Sequence, residues 1–323
     1  MVKRILIGGV VVLALLVAMA AYMVNSATTK RVPGHTFDSA GVKIFYTDEG
    51  PRDAAPVVLI HGFGINADIQ WRNSGVAQEL AKDYRVITLD NRGHGLSDKP
   101  HEKEKYGIEM ANDVIRLLDH LKIAKANVIG YSMGGFITMR LIASYPDRLI
   151  TAMPCGAGWN KPEGENLKLL MSLADSLEQG GGFDVLARRL EPGGNPSAVQ
   201  IASMNYFLSK INDKAALAAL IRGFEGLAVT EEEIRVNTVP VLSVVGSVDP
   251  LRDGVDAMKD VMGNLKTLYI DGDNHMNTPH DKRYLTAVRE FLAEKNGAME
   301  QASTPIRPTL PVAVSAQPAL AGS

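Results

Sequence analysis

Two periods of apolar and polar residues alternate along this chain. Short runs rich in β-branched residues recur at 43–47, 57–60, 85–89, 127–131, 149–153, 241–245 and 267–270, and several are apolar at consecutive positions. A strand that is apolar on both faces needs cover on both faces, which is the condition of a parallel sheet enclosed by helices. Between these runs the period lengthens to that of a helix at 76–81, 109–121, 135–144, 256–262 and 284–294, with Ile115, Leu118 and Leu121 on one face of the second. The alternation predicts an α/β fold with a mostly parallel central sheet flanked by helices.

The alternation lapses between residues 157 and 235, where helical periods continue without a strand pattern. Leu167, Leu170, Met171 and Ala174 fall on one face, as do Ile201, Asn205 and Leu208, and then Leu217, Leu220, Ile221 and Phe224. Gly180-Gly181-Gly182 and Pro192-Gly193-Gly194-Asn195-Pro196 punctuate these helices. The pattern predicts a helical lid over 157–235, inserted between two strands and dividing the core into 36–156 and 236–296.

The ends of the chain follow neither period. Residues 5–24 are 20 consecutive positions with no charge and no strong polar group, roughly 30 Å of helix, which matches the hydrocarbon thickness of a bilayer. The expectation is an N-terminal membrane anchor, with a cleaved signal peptide as the competing reading because Ala18-Met19-Ala20 has a small-x-small pattern. The apolar run continues past that point and exceeds the roughly 7 to 15 residues of a signal-peptide core. With Lys3 and Arg4 abutting the run, both readings place the body on the exported side, periplasmic or extracellular. A linker at 25–35 precedes the body. From 297 onward, Pro305, Pro308, Pro311 and Pro318 among Ala, Ser, Thr and Gly predict a flexible tail.

Composition narrows the function. Apolar residues make up 46% of the chain and charged residues 22%, which excludes collagen-like and wholly disordered classes. Lys3, Arg4, Lys30 and Arg31 are the only charges among the first 31 residues; without them 30 of the 34 basic residues face 36 acidic ones, a net of −6. A nucleic-acid partner requires a basic stripe against phosphates, and no basic excess exists to supply one. Cys155 is the single cysteine, so neither an internal disulfide nor a multi-cysteine metal site can form; it reads as a small buried residue at a strand end.

The chemistry resides in residues that follow strands. Gly130-Tyr131-Ser132-Met133-Gly134 leaves a strand and enters a helix. A serine on so tight a turn is held in a strained conformation with its hydroxyl exposed, and only glycine at 130 and 134 leaves room for the crossing elements. His61-Gly62-Phe63-Gly64 follows the strand at 57–60, and Asp90-Asn91-Arg92-Gly93-His94-Gly95-Leu96-Ser97 follows the one at 85–89. Gly246-Ser247-Val248-Asp249 and Gly272-Asp273-Asn274-His275 follow the last two.

These motifs, in this order across residues 36–294, resemble the α/β-hydrolase superfamily, specifically its serine esterase and lipase-like members with a helical lid. The resemblance implies Ser132 as nucleophile, His275 as base and Asp249 as the acid that orients it. It also implies the backbone N–H groups of Phe63 and Met133 as the oxyanion hole. Asp253 competes for the acid and His280 for the base. His61 and His94 are expected to organise loops, Asp90 to hydrogen-bond its own loop, and His35, His101 and His120 to lie at the surface. Trp71 and Trp159 are candidates for the substrate pocket, with core packing as their alternative. No cofactor and no metal is expected.

A serine nucleophile disfavours the aspartate-based dehalogenase and epoxide-hydrolase chemistries of the superfamily. Carbon–carbon bond hydrolases resemble the chain in size and lid, yet Arg92-Gly93-His94-Gly95 stands where they carry proline-glycine-phenylalanine, and Met276 rather than tryptophan follows the expected base. Cofactor-free perhydrolases share the triad. The expected activity is hydrolysis of a small-molecule carboxylic ester with a hydrophobic or lipid-like moiety, with carbon–carbon hydrolysis, perhydrolysis and a non-catalytic binding protein as alternatives.

Overall fold

The computed structural model describes residues 32–159, 165–191 and 193–303. The apolar run at 5–24 and the Pro-rich segment beyond 303 lie outside the described residues. Eight strands form one sheet: β1 (His35–Ser39), β2 (Val42–Glu49), β3 (Pro56–Ile60), β4 (Arg85–Leu89), β5 (Ala126–Tyr131), β6 (Leu149–Cys155), β7 (Val241–Gly246) and β8 (Leu265–Ile270). Their spatial order is β1-β2-β4-β3-β5-β6-β7-β8, with β2 antiparallel to β1 and β4 and all other neighbours parallel.

Side chains of the central strands sort by parity between two cores, as a period of two requires. Val58 and Ile60 of β3 and Val241 and Val245 of β7 enter one cluster; Val57 and Leu59, and Leu242 and Val244, enter the other. The first is covered by α2 (Ile108–His120), α3 (Met133–Ser144) and α9 (Arg252–Lys259), through Val114, Leu118, Ile137, Leu141, Val255 and Met258. The second is covered by α1 (Val76–Leu80) and α10 (Lys282–Ser303), through Val76, Leu80, Tyr284, Val288 and Leu292. Burying each such side chain contributes roughly 1.5–3 kcal/mol.

From β3 the chain crosses to β4 on one side, and from β5 to β6 on the other. β3 and β5 are neighbours, with Ile60 opposite Gly130. Loops that leave adjacent parallel strands in opposite directions open a crevice at the carboxyl ends of those strands. The loop that begins at His61 and the turn at Ser132 sit on its two lips.

Between β6 and β7 the chain forms only helices among the described residues: α4 (Glu165–Glu178), α5 (Asp184–Leu190), α6 (Ala198–Ile211), α7 (Lys214–Gly223) and α8 (Glu231–Arg235). Their buried Leu173, Ala174, Leu177, Phe183, Leu208, Leu217 and Ile221 form a small core of their own.

Three of the departures from the sequence pattern have a clear physical cause. β1 carries a single large apolar residue, Phe37, and pairs only along an edge, so its pattern is too sparse to mark a strand. The helix expected at 256–262 lies at α9, because Val255 and Met258 are the residues buried against the sheet. The last helix runs past residue 297 to Ser303. Ala298, Met299, Glu300, Gln301 and Ala302 are all good helix formers, and the first proline comes only at 305.

Candidate active site

β5 ends at Tyr131 and α3 begins at Met133, so the whole change of direction falls on Ser132, which has φ +56° and ψ −117°. That backbone conformation costs a non-glycine residue about 1–3 kcal/mol. It persists because the Ser132 amide donates to the Cys155 carbonyl at 2.9 Å, while its own carbonyl accepts from Gly135 and Phe136 at 2.8 and 3.1 Å. A Cβ at Gly130 would lie 1.9 Å from the carbonyl oxygen of Gly134, and one at Gly134 would lie 2.1 Å from that of Ile60. Both positions therefore require glycine. The serine is left half-buried at the crevice.

Asp249 and His275 come from the loops after β7 and β8 and meet. Asp249 Oδ2 lies 2.8 Å from His275 Nδ1, and its Oδ1 accepts the Leu251 amide at 2.8 Å. Both residues are buried. A carboxylate can only accept, so His275 carries its proton on Nδ1 and presents the lone pair of Nε2. Asp253, at the start of α9, and His280 are exposed and take no part in this pair. Tyr131 links the pair to the serine: its hydroxyl donates to the His275 carbonyl at 2.7 Å, and the two rings stand 5.2 Å apart.

The loop after β3 is fixed by imidazoles. His61 Nε2 accepts the Asn91 amide at 2.9 Å, which places the proton on Nδ1, facing the Gly62 carbonyl at 2.7 Å. His94 Nε2 accepts the Gly64 amide at 3.0 Å, and its Nδ1 faces the Arg92 carbonyl at 3.2 Å. Complete burial, reinforced by the neighbouring His61, pushes the His94 pKa down to about 3, so the ring stays neutral and can accept. The Gly62 amide donates to Gln70 Oε1 at 3.4 Å. Between these two tethered amides lies Phe63. A Cβ at Gly62 would sit 3.4 Å from Cβ of Ser132, so this loop abuts the turn directly. On the opposite lip Met133 is the first residue of α3, and an N–H there has no acceptor one helical turn back.

The loop after β4 supports the first. Asp90 accepts the Ala67 amide at 3.0 Å and the Leu96 amide at 2.8 Å, thereby bonding its own loop and the neighbouring one. Arg92 lies fully buried in a two-pronged ion pair with Asp113, Nε to Oδ2 at 2.7 Å and Nη2 to Oδ1 at 2.6 Å. Asn91, Gln70, Tyr131 and Asp113 escape the sequence reading because each acts on a loop brought close only by the fold.

Both tryptophans pack in the core, the alternative that the sequence left open for them. Trp71 is fully buried with Val57, Leu59 and Leu80 in the core beneath α1, its bulk filling space between sheet and helix. Trp159 is buried in the opposite cluster, where its indole N–H donates to the Val229 carbonyl at 3.0 Å. A groove of about 620 Å³ is lined by Leu169, Arg188, Arg189, Gly193, Val248 and Pro250, the last two flanking Asp249 in sequence. Val248 and Met276, adjacent in sequence to Asp249 and His275, are exposed and apolar. Cys155 is buried at the end of β6. Among the described residues, no group of three or more His, Cys, Asp or Glu is arranged to hold a metal ion.

A profile described as alpha/beta hydrolase fold matches residues 55–184. The chain is similar to a non-heme chloroperoxidase of Streptomyces lividans, 41% identical over 124 residues that cover 37% of this chain and 43% of that protein. It is also similar to 2-hydroxymuconate semialdehyde hydrolase of Pseudomonas sp. (strain CF600), 28% identical over 282 residues that cover 82% of this chain and 95% of that one. A solved thermophilic esterase from Thermogutta terrifontis superposes with a TM-score of 0.65 at 26% identity, covering 82% of this chain and 98% of the esterase. The chain spans less than half the length of several curated relatives that it matches, the chloroperoxidase among them.

Proposed function

The chain has the α/β-hydrolase fold, and from that premise we propose that it is a serine hydrolase acting on small-molecule carboxylic esters with a hydrophobic or lipid-like moiety. The observation that carries this reading is the buried 2.8 Å pair of Asp249 and His275, tied through the Tyr131 hydroxyl to the turn that holds Ser132 at φ +56°. In the proposed reaction Ser132 Oγ attacks the acyl carbon while Nε2 of His275 takes its proton. Asp249 stabilises the imidazolium that forms and keeps the ring in one tautomer. The N–H groups of Phe63 and Met133 receive the developing oxyanion, each worth on the order of 10²–10³ in rate in comparable enzymes. Collapse returns the proton from His275 to the departing alcohol, and water, activated by the same imidazole, then releases the acid from Ser132.

The exposed apolar side chains of Val248 and Met276, next in sequence to Asp249 and His275, support a hydrophobic substrate. In this reading the insertion serves as a lid. The apolar run at 5–24 would hold the body at the exported face of a membrane, and carbonate extraction of isolated membranes would release the chain if it does not. Turnover of a p-nitrophenyl ester series by the full-length chain tests the activity, and no hydrolysis at any chain length sinks the ester reading.

Carbon–carbon bond hydrolysis is the second reading, favoured by the near full-length likeness to 2-hydroxymuconate semialdehyde hydrolase. It uses the same serine and histidine. Against it stand Arg92-Gly93-His94-Gly95 and Met276 at positions where such hydrolases carry other residues. Faster turnover of a dienoate ketone than of any ester would favour it over ester cleavage.

A further inference from the structure

Gly64 is gripped by two different parts of the fold. Its amide donates to His94 Nε2 at 3.0 Å, from the core loop after β4, and its carbonyl accepts from Asn212 Nδ2 at 2.7 Å. Asn212 ends α6, so this second bond joins the helical insertion to the loop that carries Phe63. The same carboxamide nitrogen donates to the Leu208 carbonyl at 3.0 Å, which fixes its direction.

Apolar contacts follow the same route. A Cβ at Gly64 would lie 3.4 Å from Leu208 Cδ2, and Phe63 and Ile65 pack against the insertion's core of Leu208, Phe183, Leu217 and Ile221. Gly64 has φ +74°. Glycine passes between backbone basins at little cost, so its conformation here comes from the groups that hold it. With His94 alone, one peptide on one side of Gly64 is fixed. Asn212 fixes the next.

We propose that Asn212 is a positioning residue for the oxyanion loop, which gains its working geometry only when the helical insertion is seated on it. The inference rests on the serine-hydrolase reading, in which the Phe63 N–H faces the oxyanion. A displacement near 1 Å of such a donor costs roughly 10²-fold in rate. An alternative role for Asn212, capping the last turn of α6, needs only the bond to Leu208. The two roles differ in what they do to a tetrahedral adduct.

The test compares the full-length chain with Asn212→Ala and Asn212→Asp, at a temperature where circular dichroism shows all three folded. The aspartate has the shape of asparagine but turns acceptors toward the Gly64 and Leu208 carbonyls. Two readouts are taken: kcat and KM on p-nitrophenyl butyrate, and Ki for an alkyl trifluoromethyl ketone. The ketone is attacked by Ser132 Oγ as His275 takes the hydroxyl proton, and its oxygen becomes the oxyanion in the hole. We expect kcat to fall roughly tenfold or more in both variants, with KM within about twofold of wild type, Asp no better than Ala, and ketone Ki rising by the factor by which kcat/KM falls. Wild-type kcat and Ki in the folded variants, with only a lower melting temperature, would overturn the proposal. Ser132→Ala is assayed in parallel. If it still turns over ester, the serine reading fails; retained kcat in the Asn212 variants sinks this inference alone.

Discussion

The Tyr131 hydroxyl donates to the backbone carbonyl of His275 at 2.7 Å, joining the residue before the turn serine to the candidate base 144 positions later. Both ends of the bond are buried. Tyr131→Phe keeps the ring and leaves a carbonyl without its donor, which costs about 1–3 kcal/mol. Urea unfolding of the two forms measures that loss. Steady-state kinetics on the same samples should show kcat reduced and KM little changed, because the imidazole shifts while the substrate surface does not. Equal kcat values would mean that His275 is placed by Asp249 without help from Tyr131.

His94 carries a pH dependence. Its pKa in the folded chain is pushed to about 3 by burial, from 6.5 in the unfolded chain. Between those values the unfolded state binds the extra proton, so stability rises with pH across that window, is complete above the unfolded pKa and is lost as pH falls toward 3. The slope from this residue approaches about 1.4 kcal/mol per pH unit. His94→Gln can still accept from the Gly64 amide but cannot titrate. Unfolding free energies measured between pH 4 and 6 should therefore depend less steeply on pH in the variant; parallel slopes would show that His94 is not held neutral.

Much of this architecture is legible because burial repeats with the period of each element. The strands at 57–60, 85–89 and 241–245 are apolar at successive positions, as strands between two helical layers must be, and they coincide with β3, β4 and β7. The glycines flanking Ser132 are legible for a steric reason that the close approach of Gly134 to Ile60 makes concrete. β1 is hidden because an edge strand needs little apolar pattern. Asn212 and Tyr131 are hidden for another reason: their partners, Gly64 and His275, lie 148 and 144 residues away, and nothing local in either sequence segment marks the contact. Trp71 packs in the core, the alternative that the sequence left open for it, since size and aromaticity serve a core as well as a cleft.

Strain at the turn predicts a stability gain where activity is lost. Ser132 holds φ +56° against its Cβ. Ser132→Gly removes the Cβ and the strain of about 1–3 kcal/mol, offset by roughly 0.5–1 kcal/mol of glycine chain entropy. The variant should melt a few degrees above wild type and hydrolyse no ester. A lower melting temperature would show that the turn is relaxed.

Covalent labelling asks whether Ser132 is the nucleophile. The full-length chain and Ser132→Ala are each treated with a fluorophosphonate and analysed by intact mass and peptide mapping. Wild type should take one phosphonate adduct, mapped to Ser132, formed quickly and lost on His275→Ala, and Ser132→Ala should take none. Equal labelling of wild type and Ser132→Ala, or no labelling of wild type, would contradict that assignment.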